Sequence, residues 1–289
     1  MDAFSAGRLT RSLDPLHSTA YFLPDVTEQF GALGMKGRTP YFATRSAPMG
    51  AVGAGVVAAT FYNFNPELVG ASIPAAWQMA SPQTVTEMRY AIVEQALPGV
   101  LGTSLTESAE LSRAAEILRR VAEAIPNADG RPLYAGHAEL PWPRSPHARL
   151  WHAITLLREY RGDGHIAALI TYELNGLEAL ITHTASEIGF TVEFARRLRG
   201  WSEEKWAAAT DRLRQRRLLD DSGALTTSGL QLRTEIEDLT DRLAAEPWRT
   251  LADDDAAELE RFAAPARQAV LGAGVFPAGA FAARYGQHR

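Results

Sequence analysis

Residues 191–246 restrict this chain more than any other segment, because three helical pieces and a tight turn follow one another there in fixed order. A short helix is expected over TVEFARRLRG, with Phe194, Ala195 and Leu198 facing inward. A second helix opens at Ser202, whose hydroxyl suits the orphan amides of a first turn. Glu203 and Glu204 favour the same end through the helix dipole. Asp221-Ser222-Gly223 is turn chemistry between two short apolar pieces and predicts a hairpin. A long helix follows through Leu230, Leu232, Ile236, Leu239 and Leu243.

The remaining chain is also dominated by helical periodicity. Leu111, Ala115, Leu118, Ala122 and Ile125 fall on one stripe, so a helix is expected over 104–125. Ser104 with Glu107 reads as its capping box, and Pro126 as its stop. Residues 84–97, 148–160 and 254–271 read similarly. Five prolines between 126 and 146 exclude a continuous helix there. That segment is the expected linker or strap between an N-terminal half, 1–125, and a C-terminal half, 147–289. The halves share a pattern. Residues 55–65 align with 165–175 at a constant offset, matching Ala58 with Ala168, Tyr62 with Tyr172 and Asn65 with Asn175. Each Asn precedes a helix breaker or starter, which points to tandem duplication.

The order helix, helix, RLRQRRLL, hairpin, LTTSG, long helix resembles the winged-helix fold of MarR-type regulators over roughly residues 150–246. The whole chain is similar to a little-characterised actinobacterial helix-turn-helix group, through TRSAPMG, ATFYNFNPELV, RGDGHIAAL and LTTSG. The resemblance implies a mainly α fold of two tandem winged-helix-like halves with a small β wing. The first half is then the degenerate copy.

That scaffold normally presents a helix to the DNA major groove. Here the element would be Ser202–Arg217. Trp206, Ala209 and Leu213 form its apolar stripe, so Glu204, Ala208, Asp211 and Gln215 face outward. Carboxylates on that side repel phosphates. The net charge of −5 and isoelectric point near 5.8 argue the same way. Lys205, Arg212, Arg214, Arg216 and Arg217 are the residues a duplex would use, but they also read as a solvated helix end.

Polar residues in apolar surroundings point elsewhere. Tyr160-Arg161-Gly162-Asp163-Gly164-His165 reads as a glycine-flanked turn between two helices. His165 is then a candidate acid/base oriented by Asp163. The competing reading makes Asp163 a helix cap. Arg45, before Gly50, Gly53 and Gly55, is a candidate for holding a carboxylate or phosphate. Tyr62 and Asn63 are candidates for orienting a ligand, while Asn65-Pro66 reads as a helix start. His17 lies one turn from Tyr21 and is a further candidate, as is Trp77; both also suit a core.

No cysteine is present, which excludes thiolate chemistry. No pair of histidines has convincing zinc spacing, and no P-loop, dinucleotide-binding or nucleophile-elbow motif occurs. No metal or cofactor is expected. No leader or membrane span is read either, so a cytoplasmic chain is expected. The expectation is a monomeric small-molecule binder or cofactor-free enzyme, with its ligand between the halves and DNA binding lost. The alternative is a ligand-responsive MarR-type regulator binding duplex DNA.

Overall fold

The computed structural model describes residues 1–285; positions 286–289, the end of the expected C-terminal half, lie outside them. The chain is mainly helical. Its helices are α1 Ala3–Ser18, α2 Pro24–Ala32, α3 Thr39–Ser46, α4 Ala54–Phe61, α5 Pro66–Gly70, α6 Ala76–Met79, α7 Pro82–Leu101 and α8 Thr103–Thr106. Then come α9 Ala109–Glu123, α10 Pro132–Ala138, α11 Pro146–Thr171, α12 Gly176–Ala185, α13 Val192–Arg199, α14 Glu203–Gln215, α15 Thr227–Ala244 and α16 Asp253–Gly272.

α11 is the axis of the molecule. It packs against α1, α7, α9, α10 and α15. Between Ala148 and Tyr160 it buries side chains on every face, as a helix apolar all round must. Trp151 is fully enclosed. α9 lays its stripe of Leu111, Ile117, Leu118 and Val121 on this axis. Each of those side chains contributes about 1.5–3 kcal/mol on leaving water. The expected cap at Ser104 is corrected. Ser108 accepts the Leu111 amide and α9 starts there, so residues 103–106 form a separate turn.

The buried apolar side chains form two clusters. The larger draws on residues from Ala6 to Tyr160 and from Trp248 to Val270, with Leu118 and Leu150 on either side of segment 126–146 and Leu133 within it. The smaller joins Ala168, Leu169, Leu177, Ile181, Ala209, Leu213, Leu219 and Ile236. α11 leaves the first and enters the second between residues 160 and 168.

This junction corrects the sequence reading of 160–165. The stretch is not a turn between helices but the polar middle of the 26-residue α11. Gly164 stays helical and serves close packing. A Cβ there would lie 2.7 Å from Arg131 Nη1 and 3.4 Å from Leu243 Cβ. Arg131 needs that space, because it donates to the carbonyls of Tyr160 and Leu243 and stacks on the Tyr160 ring at 3.7 Å.

The C-terminal reading holds at the level of helices. α13 ends on Gly200 in the left-handed region (φ 74°, ψ 26°), which glycine adopts without strain, and Ser202 caps α14 through the Lys205 amide. α13, this turn and α14 make a helix-turn-helix. The hairpin around Asp221-Ser222-Gly223 has a single bridge, Leu219 to Leu225, and no strand forms among the described residues. Instead, Asp220 Oδ1 closes the turn by accepting from the Ser222 and Ala224 amides.

Candidate functional site

The polar junction is hollow. A cavity of about 430 Å³ lies where α1, α3, the end of α4, α11, α12, α13 and α15 converge. Arg45, Tyr62, Asn63, Asp163 and His165 all line it, although they are scattered over more than a hundred positions of sequence. His17 and Trp77 do not. His17 is fully buried between Thr155 Oγ1 (2.9 Å) and Tyr21 Oη (2.8 Å). Trp77 donates its indole N–H to Val52 O (2.9 Å). Neither lines the cavity, and Tyr21 rather than His17 reaches the wall.

Arg45 belongs to the last turn of α3, not to a helix N-terminus as its neighbouring glycines suggested. Its expected anion is already supplied by the chain. Nη2 lies 3.1 Å from Glu159 Oε2, Nη1 donates to Tyr41 Oη (3.1 Å), and the guanidinium sits 4.4 Å above the Phe61 ring. Glu159 also pairs with Arg158 at 2.7 Å. Burial disfavours the Glu159 carboxylate, but Arg158 and Arg45 outweigh it and hold the group well below the usual carboxylate range. Burial and Arg158 keep His17 neutral although Glu159 is 3.7 Å away.

Asp163 does not orient His165. Two residues apart on one helix, the side chains point to different sides. Asp163 Oδ2 instead accepts the Leu133 and Tyr134 amides (3.1 and 2.9 Å), capping α10 from outside its own helix. The expectation that Asp163 caps a helix starting at His165 is corrected as well, since both residues lie inside α11. Burial raises its pKa to about 6 despite those amides. His165 Nδ1 meets Thr240 Oγ1 at 2.8 Å, and that hydroxyl donates to Ile236 O. Nδ1 is thus inferred to carry the proton, leaving Nε2 as an acceptor. Burial lowers the His165 pKa to about 3.

Tyr62 and Asn63 sit where α4 meets the smaller core. Tyr62 has φ 55° and ψ −56°, costly for a bulky residue. Its hydroxyl donates to Leu174 O (2.6 Å), and Trp201 Nε1 donates to Asn63 O (2.9 Å).

Seven arginines but four carboxylates line the cavity. Sequence reading missed Arg38, Tyr41, Arg158, Glu159 and Arg199. Only Glu159 left a signal, as an acid within the apolar part of α11. Arg38 and Arg199 stand beside turns, where cations are ordinarily solvated.

The cations of the second helix of the helix-turn-helix are mostly engaged within the chain. Lys205 pairs with Glu67 (2.7 Å), Arg212 with Glu178 (3.0 Å) and Arg214 with Asp211 (3.0 Å). Arg216 donates to Glu173 O (2.9 Å), while Arg217 is exposed.

No described helix is long and apolar enough to cross a membrane. Among the described residues no cluster of three or more metal-binding side chains occurs. Comparison with curated proteins and with solved structures gave no match. A scan against family models matched one described as a helix-turn-helix family, over residues 6–277. That span includes the turn at Gly200, both cores and all of the cavity lining but Phe281 and Tyr285, and the chain belongs to this helix-turn-helix family.

Proposed function

We propose that this chain binds a small molecule in the junction cavity, on a helix-turn-helix scaffold that has lost its DNA-reading face. The observation that carries this reading is the cavity itself: about 430 Å³, lined by charged and aromatic residues from several helices and by the strained Tyr62. Pockets of this size where two packed units meet are common ligand sites. Arg45, Tyr62, Asn63, Asp163 and His165 form part of its wall. An imidazole with a pKa near 3 is a poor base at neutral pH, so His165 serves as a hydrogen-bond acceptor rather than as a proton carrier. Binding is therefore favoured over catalysis. Thermal-shift screening of small acids, amines and neutral aromatics tests the reading, because a bound ligand raises the melting temperature. A saturable rise that weakens in His165→Ala and Asn63→Ala is expected. A panel that moves nothing would sink the proposal.

The duplication reading accompanies it. Asn65 and Asn175 each cap the helix that follows, and the two segments meet through the Tyr62–Leu174 hydrogen bond. Two such MarR-like halves within one chain would mimic a dimer's two-fold, so the protein is a monomer in this reading.

The second reading, a regulator binding duplex DNA, is favoured by the helix-turn-helix family and the Gly200 turn. Against it stand Glu203, Glu204 and Asp211, exposed on α14, and the engaged state of four of the five cations on α14 and the two residues after it. A gel-shift with the chain's own upstream DNA separates the readings. Specific binding with a steep salt dependence would establish this one.

A further inference from the structure

Arg267 lies 5.5 Å over the Tyr285 ring, and the other six arginines of the cavity fall into two groups. Arg45 and Arg158 share Glu159, Arg161 pairs with Glu237 at 2.9 Å, and Arg11 pairs with Asp241 at 2.8 Å. Arg38 and Arg199 have no carboxylate and make no side-chain hydrogen bond among the described residues. Each has its Nε buried without an acceptor. Each rests on an aromatic face instead: Arg38 lies 4.5 Å above Tyr41, and Arg199 lies 4.2 Å above Phe64. Those two rings are 5.3 Å apart, so the guanidiniums flank one aromatic pair. Both residues are half-buried with Nε enclosed, and a cation largely withdrawn from water is ordinarily paired.

We propose, resting on the small-molecule reading above, that the ligand is an organic anion. Its carboxylate or phosphate head bridges Arg38 and Arg199, and its apolar body lies against Phe61, Phe190 and Phe281, which line the same cavity. Guanidinium forks match such oxyanions in geometry as well as charge. The electrostatics agree. Burial, with Arg38, Arg45 and Arg158 nearby, lowers the Arg199 pKa to about 10. Burial would raise the Tyr41 phenol, yet Arg45, Arg199, Arg38 and Arg158 bring it below its usual value. The site thus has a positive end that the chain leaves uncompensated.

The test titrates the whole protein with the anionic dye 8-anilinonaphthalene-1-sulfonate and with its uncharged relative N-phenyl-1-naphthylamine. Arg38→Met and Arg199→Met keep apolar bulk and remove the charge. Each is expected to weaken the sulfonate about tenfold or more, the scale of one charge-assisted contact, and to leave the neutral dye unchanged. Displacement by benzoate against phenyl phosphate then distinguishes the two head groups. The melting temperature of Arg199→Met without ligand should rise, because an uncompensated charge is gone. Equal binding of the sulfonate by wild type and both variants would overturn the anion site while leaving the cavity reading intact, provided the neutral dye binds. If neither dye binds the wild-type protein, both readings fall. A destabilised Arg199→Met that keeps full sulfonate affinity would make Arg199 structural and overturn the proposal.

Discussion

The cations inside the cavity and those on α14 reverse the usual arrangement. Exposed arginines normally need no partner and buried ones do. Here Lys205, Arg212 and Arg214 on α14 are paired with carboxylates, while Arg38 and Arg199, half-buried in the cavity wall with their Nε atoms enclosed, are not. A helix that read DNA would hold its cations free for phosphates. A pocket that read anions would hold its cations free inside. The contrast agrees with the anion site proposed above, in a member of a helix-turn-helix family.

Acid should expose the difference most strongly. Burial lowers His137 and His183 to about 4 and His152 and His165 to about 3, and His17 is lowered too. A depressed folded pKa gives stability that is present above about pH 6.5 and lost as pH falls toward the folded value. Each histidine removes about 1.4 kcal/mol per pH unit within that window. Asp163 works in the opposite sense: its pKa near 6 favours the fold below about pH 4 and disfavours it as pH rises through 6, offsetting about one histidine. Urea unfolding between pH 7 and 5 should therefore show stability falling by several kcal/mol. A flat profile would remove the claim of a neutral, desolvated interior.

Glu159→Gln comes next. It leaves Arg45 and Arg158 buried without their shared carboxylate, and the expected loss is about 3–5 kcal/mol by denaturant titration. A loss below about 1 kcal/mol would mean that water reaches the pair freely. Gly164→Ala probes the junction's packing rather than its charge. The added methyl meets Arg131, and a cost of about 1–3 kcal/mol is expected in the same assay. Smallest are Lys205→Ala and Arg214→Ala on α14, each worth less than about 1 kcal/mol because exposed pairs are weak. A larger effect there would show that the α14 cations are structural, which would sharpen the case against DNA.

The helices of 191–246 were legible because each carries its own signal: Ser202 capping, Gly200 stopping, Leu213 and Ile236 facing in. Arg45, Tyr62, Asn63, Asp163 and His165 were legible as polar residues in apolar company. Their roles were not. Glycines at 162 and 164 suggested a bend, but α11 runs on through them, and Arg131 fills the space that Gly164 provides.

Local chemistry in the sequence determined a mainly helical chain, the turn at Gly200, and a set of polar residues too costly to bury without reason. Tertiary structure alone decided that these residues meet. It brought Arg38 and Arg199 to one aromatic pair and gave Glu159 to Arg45 and Arg158. The physical reason is range. Caps and turns act within a few residues, whereas pairing and desolvation depend on which distant helices share a wall.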